Sequence, residues 1–213
     1  MHLLELLKNV PAFALTALLL AIVPGQGVAM VLRQSIIGGK RAAFTSVLGN
    51  SSGLIVWGAA SGIGLSQVFA HSHTAYNILK YTGVAFLIFL SLQTLLTLRS
   101  EHGKFDVKDG AKLGLGPAYR LGLLTNLTNV KAAVFAVAFI PEFVPHDFNL
   151  GLGIFILACV QATVSTIWYT FLISAVDRAS AALEKPKVRR ALTALSAGGI
   201  LFLALTLLFT APR

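Results

Sequence analysis

The amino-acid sequence predicts an all-α integral membrane protein of six transmembrane helices, arranged as two inverted three-helix repeats with interrupted first and fourth helices. Three observations lead there. The 213 residues are 56% hydrophobic and 12% charged, with a mean hydropathy of +0.79, whereas a soluble domain carries roughly 25% charge. Six stretches reach the roughly 20 mostly apolar residues that a spanning helix needs; they lie at residues 10–32, 43–69, 76–98, 120–141, 149–175 and 191–210. The first and fourth stretches contain residues that interrupt a helix, and three spans per half would give two similar halves opposite orientations.

The first span is apolar from about Pro11 to Leu32 and is broken at Pro24-Gly25-Gln26-Gly27. Pro24 lacks a backbone donor, and Gly25 and Gly27 weaken the helix. In lipid, unwound backbone survives only inside protein or along a polar cavity, so the break marks either a lined site or a proline kink satisfied by neighbouring helices. Lys8 ahead of the apolar run resembles a signal peptide. Glu5 balances it, however, and the run resumes after the break, so the segment is read as a retained span. Gly38, Gly39, Lys40 and Arg41 form the first loop.

The second span is rich in small residues. Gly49 with Gly53 and Gly58 with Gly62 permit close helix approach, within the bundle or at a homo-oligomer seam, while Asn50, Ser51 and Ser52 are placed to line a path. His71, Ser72 and His73 follow; two histidines without a third ligand do not define a metal site. After the third span comes the most polar loop, 99–119. The fourth span holds Asn126, Thr128, Asn129 and Lys131, so both halves begin with a discontinuous helix. The fifth offers Gln161, Thr163, Ser165, Thr166, Trp168 and Tyr169 as secondary polar candidates, and the sixth closes the chain. The whole chain, 1–213, thus reads as a single transmembrane domain: a first half at 1–98, a cytoplasmic loop at 99–119 and a second half at 120–213.

Loop charge orients this arrangement. The first loop holds Arg33, Lys40 and Arg41; the third holds Arg99, Lys104, Lys108, Lys112 and Arg120; the fifth holds Arg178, Lys185, Lys187, Arg189 and Arg190. The second and fourth hold neither lysine nor arginine, apart from Lys80 just inside the third span. By the positive-inside rule, the odd loops face the cytoplasm and both termini lie outside the cell (inner) membrane. The net charge of +9 is accounted for by these loops, which argues against nucleic acid as a partner. Cys159 is the single cysteine, excluding an intrachain disulfide and a Cys-x-x-Cys pair. No Ser-His-Asp order, phosphate loop or paired carboxylate falls within the spans, so the chain is read as a non-enzyme without a cofactor.

Lys131 is the most informative ionisable residue. At that depth a lysine costs about 2.5–3.5 kcal/mol on insertion scales and faces a cavity or partner unless its stem reaches the interface. No carboxylate in the spans is available to pair with it, which makes it a candidate proton carrier as well as a fixed charge. The free N–H groups after Pro24, at Gly25, Gln26 and Gly27, form a half-helix N-terminus suited to a carboxylate. These two glycines are read as positions of close backbone approach to a ligand. Asn126, Asn129 and Lys131 would face that end from the other half. Lys131 would then attract a substrate carboxylate or repel its ammonium; the residues leave both open.

The run Val23-Pro24-Gly25-Gln26, then Val31-Leu32-Arg33-Gln34-Ser35 and Gly39-Lys40-Arg41-Ala42, resembles the start of the LysE/RhtB family of amino-acid exporters. Leu79 to Leu87 is similar to its third span. The second half adds Gly122-Leu123-Leu124-Thr125-Asn126-Leu127-Thr128-Asn129-Val130-Lys131-Ala132-Ala133 and Phe139-Ile140-Pro141-Glu142-Phe143-Val144. The resemblance runs from about Leu19 to Val144. Gln26 and Val130 stand where the family usually has proline, and Leu54 stands where many members have an acidic residue. The resemblance implies a secondary transporter that exports a small amino acid or related zwitterion, with Pro24, Gly25, Gln26, Gly27, Asn50, Asn126, Asn129 and Lys131 as substrate-binding residues and membrane lipid as surroundings. The competing expectation is a non-transporting membrane scaffold of the same fold.

Overall fold

In a computed structural model, residues 2–22, 25–71, 73–97, 112–176 and 186–209 are described, and they are almost entirely helical. Helix α1 (His2–Ile22) and helix α2 (Gln26–Ile37) make up the first broken unit. The helix begins at His2 rather than near Pro11, which sits inside it. The apolar window underestimated α1 because Glu5 and Lys8 interrupt hydropathy, whereas neither interrupts a helix. Gly38 ends α2, its N–H donating to Gln34 O at 2.9 Å, and Gly39 turns the chain with φ +79°, a left-handed conformation that favours glycine.

Helix α3 (Gly39–His71) runs for 33 residues, about 50 Å at 1.5 Å per residue, and is the central element. Helix α4 is His73–Thr97. Helix α5 (Leu115–Leu127) is followed at Thr128 and Asn129 by helix α6 (Val130–Val134), which continues as a π turn, Phe135–Phe139, and a 3-10 turn, Ile140–Phe143. The two parts of this unit are bent by 58°. Helix α7 spans Leu150–Ser174 and helix α8 spans Pro186–Phe209. Among the described residues, α1 (from Leu3) and α7 are each long and apolar enough to cross a membrane alone, and the bent α5–α6 unit makes a third crossing if counted as one span. Glycine, serine and asparagine dilute the apolar content of α3, so length and composition alone do not qualify it.

Close packing explains those small residues. A Cβ on Gly49 would collide with the backbone of Tyr119, and one on Gly122 with the backbone of Ser46, so α3 and α5 touch backbone to backbone from both sides. Gly53 faces Asn126, while Gly58 and Gly62 face Ala158 and Gly151 of α7. Both small-residue pairs of α3 are thus occupied by this chain's own helices. Helix α3 packs chiefly on α5 and α7, α7 also packs on α1, and α4 packs on α8.

Two apolar clusters lie at different levels along α7. One gathers Leu6, Phe13, Phe135, Phe139, Ile140, Ile154 and Leu157, with Phe13 edge-on to Phe143 at 5.3 Å and Phe135 stacked on Phe139 at 4.9 Å. The other gathers Val28, Val31, Val47, Leu172 and Ile173. Irregular backbone near the first cluster is satisfied from outside the segment: Ser61 Oγ donates to Ala136 O in the π turn at 2.8 Å, and Asn9 Nδ2 donates to Phe143 O at 2.9 Å.

Candidate functional site

The second break is built by local capping. Thr128 closes α5, its N–H and Oγ1 both donating to Leu124 O, at 2.9 and 2.7 Å. Asn129 opens α6: its Oδ1 accepts from Lys131 N at 3.1 Å, the bond of an asparagine N-cap. These residues turn the chain in two positions without the usual proline, so Val130 at the first helical position is no obstacle to a break.

Lys131 joins the two breaks. Its Nζ donates to Leu20 O at 3.1 Å, in the last turn of α1 just before the first interruption. Carbonyls of that turn have lost their helical partners and carry the negative end of the helix dipole, so a cation is favoured there. Across the gap, α2 starts from Gly25 without a side-chain cap.

Beside this junction lies a cavity of about 30 Å³, room for about one water. It is lined by Gly27 of α2, Asn50 of α3, Asn126 of α5, Asn129 and Lys131 of the second break, and Gln161, Ser165 and Tyr169 of α7, with Ala17, Leu20, Ala21, Leu54 and Ala132 as its apolar part. Asn126 Nδ2 donates to Asn50 Oδ1 at 3.2 Å, and Trp57 Nε1 donates to Asn126 O at 3.3 Å. Asn126 Oδ1 and Gln161 Oε1 are buried without any hydrogen-bond partner. Gln161 lies at the middle of α7, with one apolar cluster toward each end of that helix.

Of the residues expected from sequence, Gly27, Asn50, Asn126, Asn129 and Lys131 converge here. Pro24 lies outside the described residues. Gly25 caps α2 but does not line the cavity, and its φ of −169° is extended backbone open to any residue. Gln26 is exposed on the first turn of α2. The close approach at Gly27 is to a side chain: a Cβ there would sit 2.5 Å from Tyr169 Oη. Gln161, Ser165 and Tyr169, secondary in the sequence reading, belong to the lining; their spacing of four puts them on one helix face, a signal that was legible. The carbonyl of Leu20 carries no sequence signal, since any residue supplies a carbonyl. Thr163 bonds its own helix, donating to Cys159 O at 2.8 Å. Ser51 Oγ and Thr166 Oγ1, 2.7 Å apart, tie α3 to α7.

Polar groups from both breaks thus meet between two apolar clusters, in a protein with helices long and apolar enough to cross a membrane. The chain belongs to the LysE type translocator family, whose model matches residues 18–211. This extends the resemblance seen at Leu19 to Val144 through the last two helices. The chain is 32% identical over 204 residues to a homoserine/homoserine lactone efflux protein of Salmonella typhi, covering 95% of this chain and 96% of that one. It is 26% identical over 186 residues to an uncharacterised membrane protein of Bacillus subtilis, covering 84% and 88% of the two chains. No solved structure matches.

Proposed function

We propose that the protein is a secondary transporter that exports a small amino acid or related zwitterion across the cytoplasmic membrane by alternating access. It does so as six transmembrane segments in two inverted halves with both termini outside. The observation that carries this reading is the reach of Lys131 from the second break to Leu20 O at the first, beside a polar cavity with an apolar cluster toward each end of α7. A cation at this depth suits a carboxylate. At about 30 Å³ the cavity is contracted around the site and must widen to admit an amino acid. Opening toward one cluster while the other stays packed is alternating access in physical terms.

The helix contacts support the repeat. Exchanging the halves turns the α3–α5 contact into the α7–α1 contact, and both occur. The efflux protein of Salmonella typhi makes homoserine the first substrate to test. A non-transporting scaffold would gain nothing from two buried, unpaired amide oxygens, each of which costs about 1–3 kcal/mol, and would fill the space with apolar side chains. Flux of labelled amino acids, homoserine included, from proteoliposomes with and without a proton gradient tests the proposal. Flux above that of protein-free vesicles supports export, whereas flux no greater than theirs for every member of the panel overturns it.

A further inference from the structure

We propose that Asn126 Oδ1 and Gln161 Oε1 together form the subsite for the substrate's ammonium, so that the protein takes solutes with an unsubstituted amino group and rejects their N-acylated forms. The inference rests on the transport reading for the ligand's position, but it concerns recognition and is read out by binding.

Both side chains are more than nine-tenths buried, at 2% exposed for Asn126 and 3% for Gln161, and both line the cavity. Their oxygens accept from nothing in the protein. They come from two different helices of the second half, α5 and α7, so the pairing is a product of the tertiary fold and not of one helix turn. Unpaired buried acceptors call for a donor. Lys131 is not that donor: its Nζ bonds Leu20 O and makes no hydrogen bond to either amide oxygen. An ammonium has three N–H donors and a positive charge, and charge-assisted bonds are about twice as strong as neutral ones. Lys131 lines the same cavity; with the ligand's carboxylate at that cation, the amino group, one carbon away, is left for the two amide oxygens. Acylation leaves one uncharged N–H for two acceptors. A site whose polar groups would stay unpaired rejects such an analogue strongly.

Gln161→Leu removes one acceptor at nearly constant volume. Because the lost oxygen had no partner, the folded protein without ligand should melt no lower than the parent. Affinity for free amino acids should nonetheless fall about tenfold to a hundredfold, the loss of a hydrogen bond to a charged group. Gln161→Glu returns an acceptor and adds negative charge, so it should hold amines at least as well as the parent. A structural role for Gln161 would predict the opposite pattern, with melting lowered and affinity kept.

The experiment is calorimetric titration of the purified full chain and both variants with a panel of amino acids including homoserine, their N-acetyl derivatives and their methyl esters, alongside flux from proteoliposomes. Binding of a free amino acid, at least about a hundredfold weaker binding of its N-acetyl form and the loss in Gln161→Leu support the subsite. Equal binding of the N-acetyl form, unchanged affinity in Gln161→Leu, or no binding by any amine in the panel overturns it. Binding without flux would overturn export and leave the subsite standing. Flux that carries N-acetyl forms equally well would do the reverse.

Discussion

Lys131 links the second break to the first through its bond to Leu20 O and lines the cavity. Lys131→Met keeps most of the stem, removes a charge that costs about 2.5–3.5 kcal/mol at such depth, and loses the bond to Leu20 O. It should insert and purify like the parent and lose export. Lys131→Arg keeps a charge that does not come off in the working range; it should retain exchange between equal solute pools and lose gradient-driven accumulation. Full gradient-driven export by the arginine variant leaves only a fixed-charge role, and full export by the methionine variant removes Lys131 from the site. Gly27 makes a second residue-level case. Gly27→Ala places its Cβ 2.5 Å from Tyr169 Oη, so it should lower stability by about 1–3 kcal/mol. Adding Tyr169→Phe deletes the clashing atom and should restore most of that loss in thermal denaturation. A double variant no more stable than the single one would refute the contact.

At the scale of elements, glycines of identical composition should behave in opposite ways. Gly122 meets the backbone of Ser46 across the α3–α5 contact, and backbone yields only by separating the helices. Gly64, near the end of α3, has nothing within 4 Å of its would-be Cβ. Gly122→Ala should therefore be strongly destabilising, and Gly64→Ala neutral or stabilising by up to about 1 kcal/mol. Thermal melting of both variants in detergent checks this, and similar melting points would contradict the packing. The breaks themselves were legible from sequence, because Pro, Gly and Asn act on their own backbone. The π turn that follows the second break was not: its freed Ala136 carbonyl is held by Ser61 from a different helix, a partner that local sequence cannot name.

For the whole molecule, orientation sets which of the two apolar clusters faces the cytoplasm. In a Cys159→Ala background, single cysteines at Lys108 and Arg189 should react in intact cells only with membrane-permeant reagents. One at His73 should react with an impermeant reagent as well. Labelling at Lys108 by the impermeant reagent would reverse the topology.

The sequence alone carried the membrane class, the helix limits to within about five residues apart from the early start of α1, the two interruptions and most of the polar residues that line the cavity. These follow from hydropathy and from residues that act on their own backbone, and both are local. Only the tertiary structure decided which of those residues meet. Helix α7 carries Gln161, Ser165 and Tyr169 on one face by their spacing of four, but what that face meets is set by the rotation that packing imposes. The bond from Lys131 to Leu20 O spans 111 positions, and its acceptor is a carbonyl that any residue would supply. Its partnership comes from where α1 stops and how the halves are packed together, which no single stretch of the chain specifies.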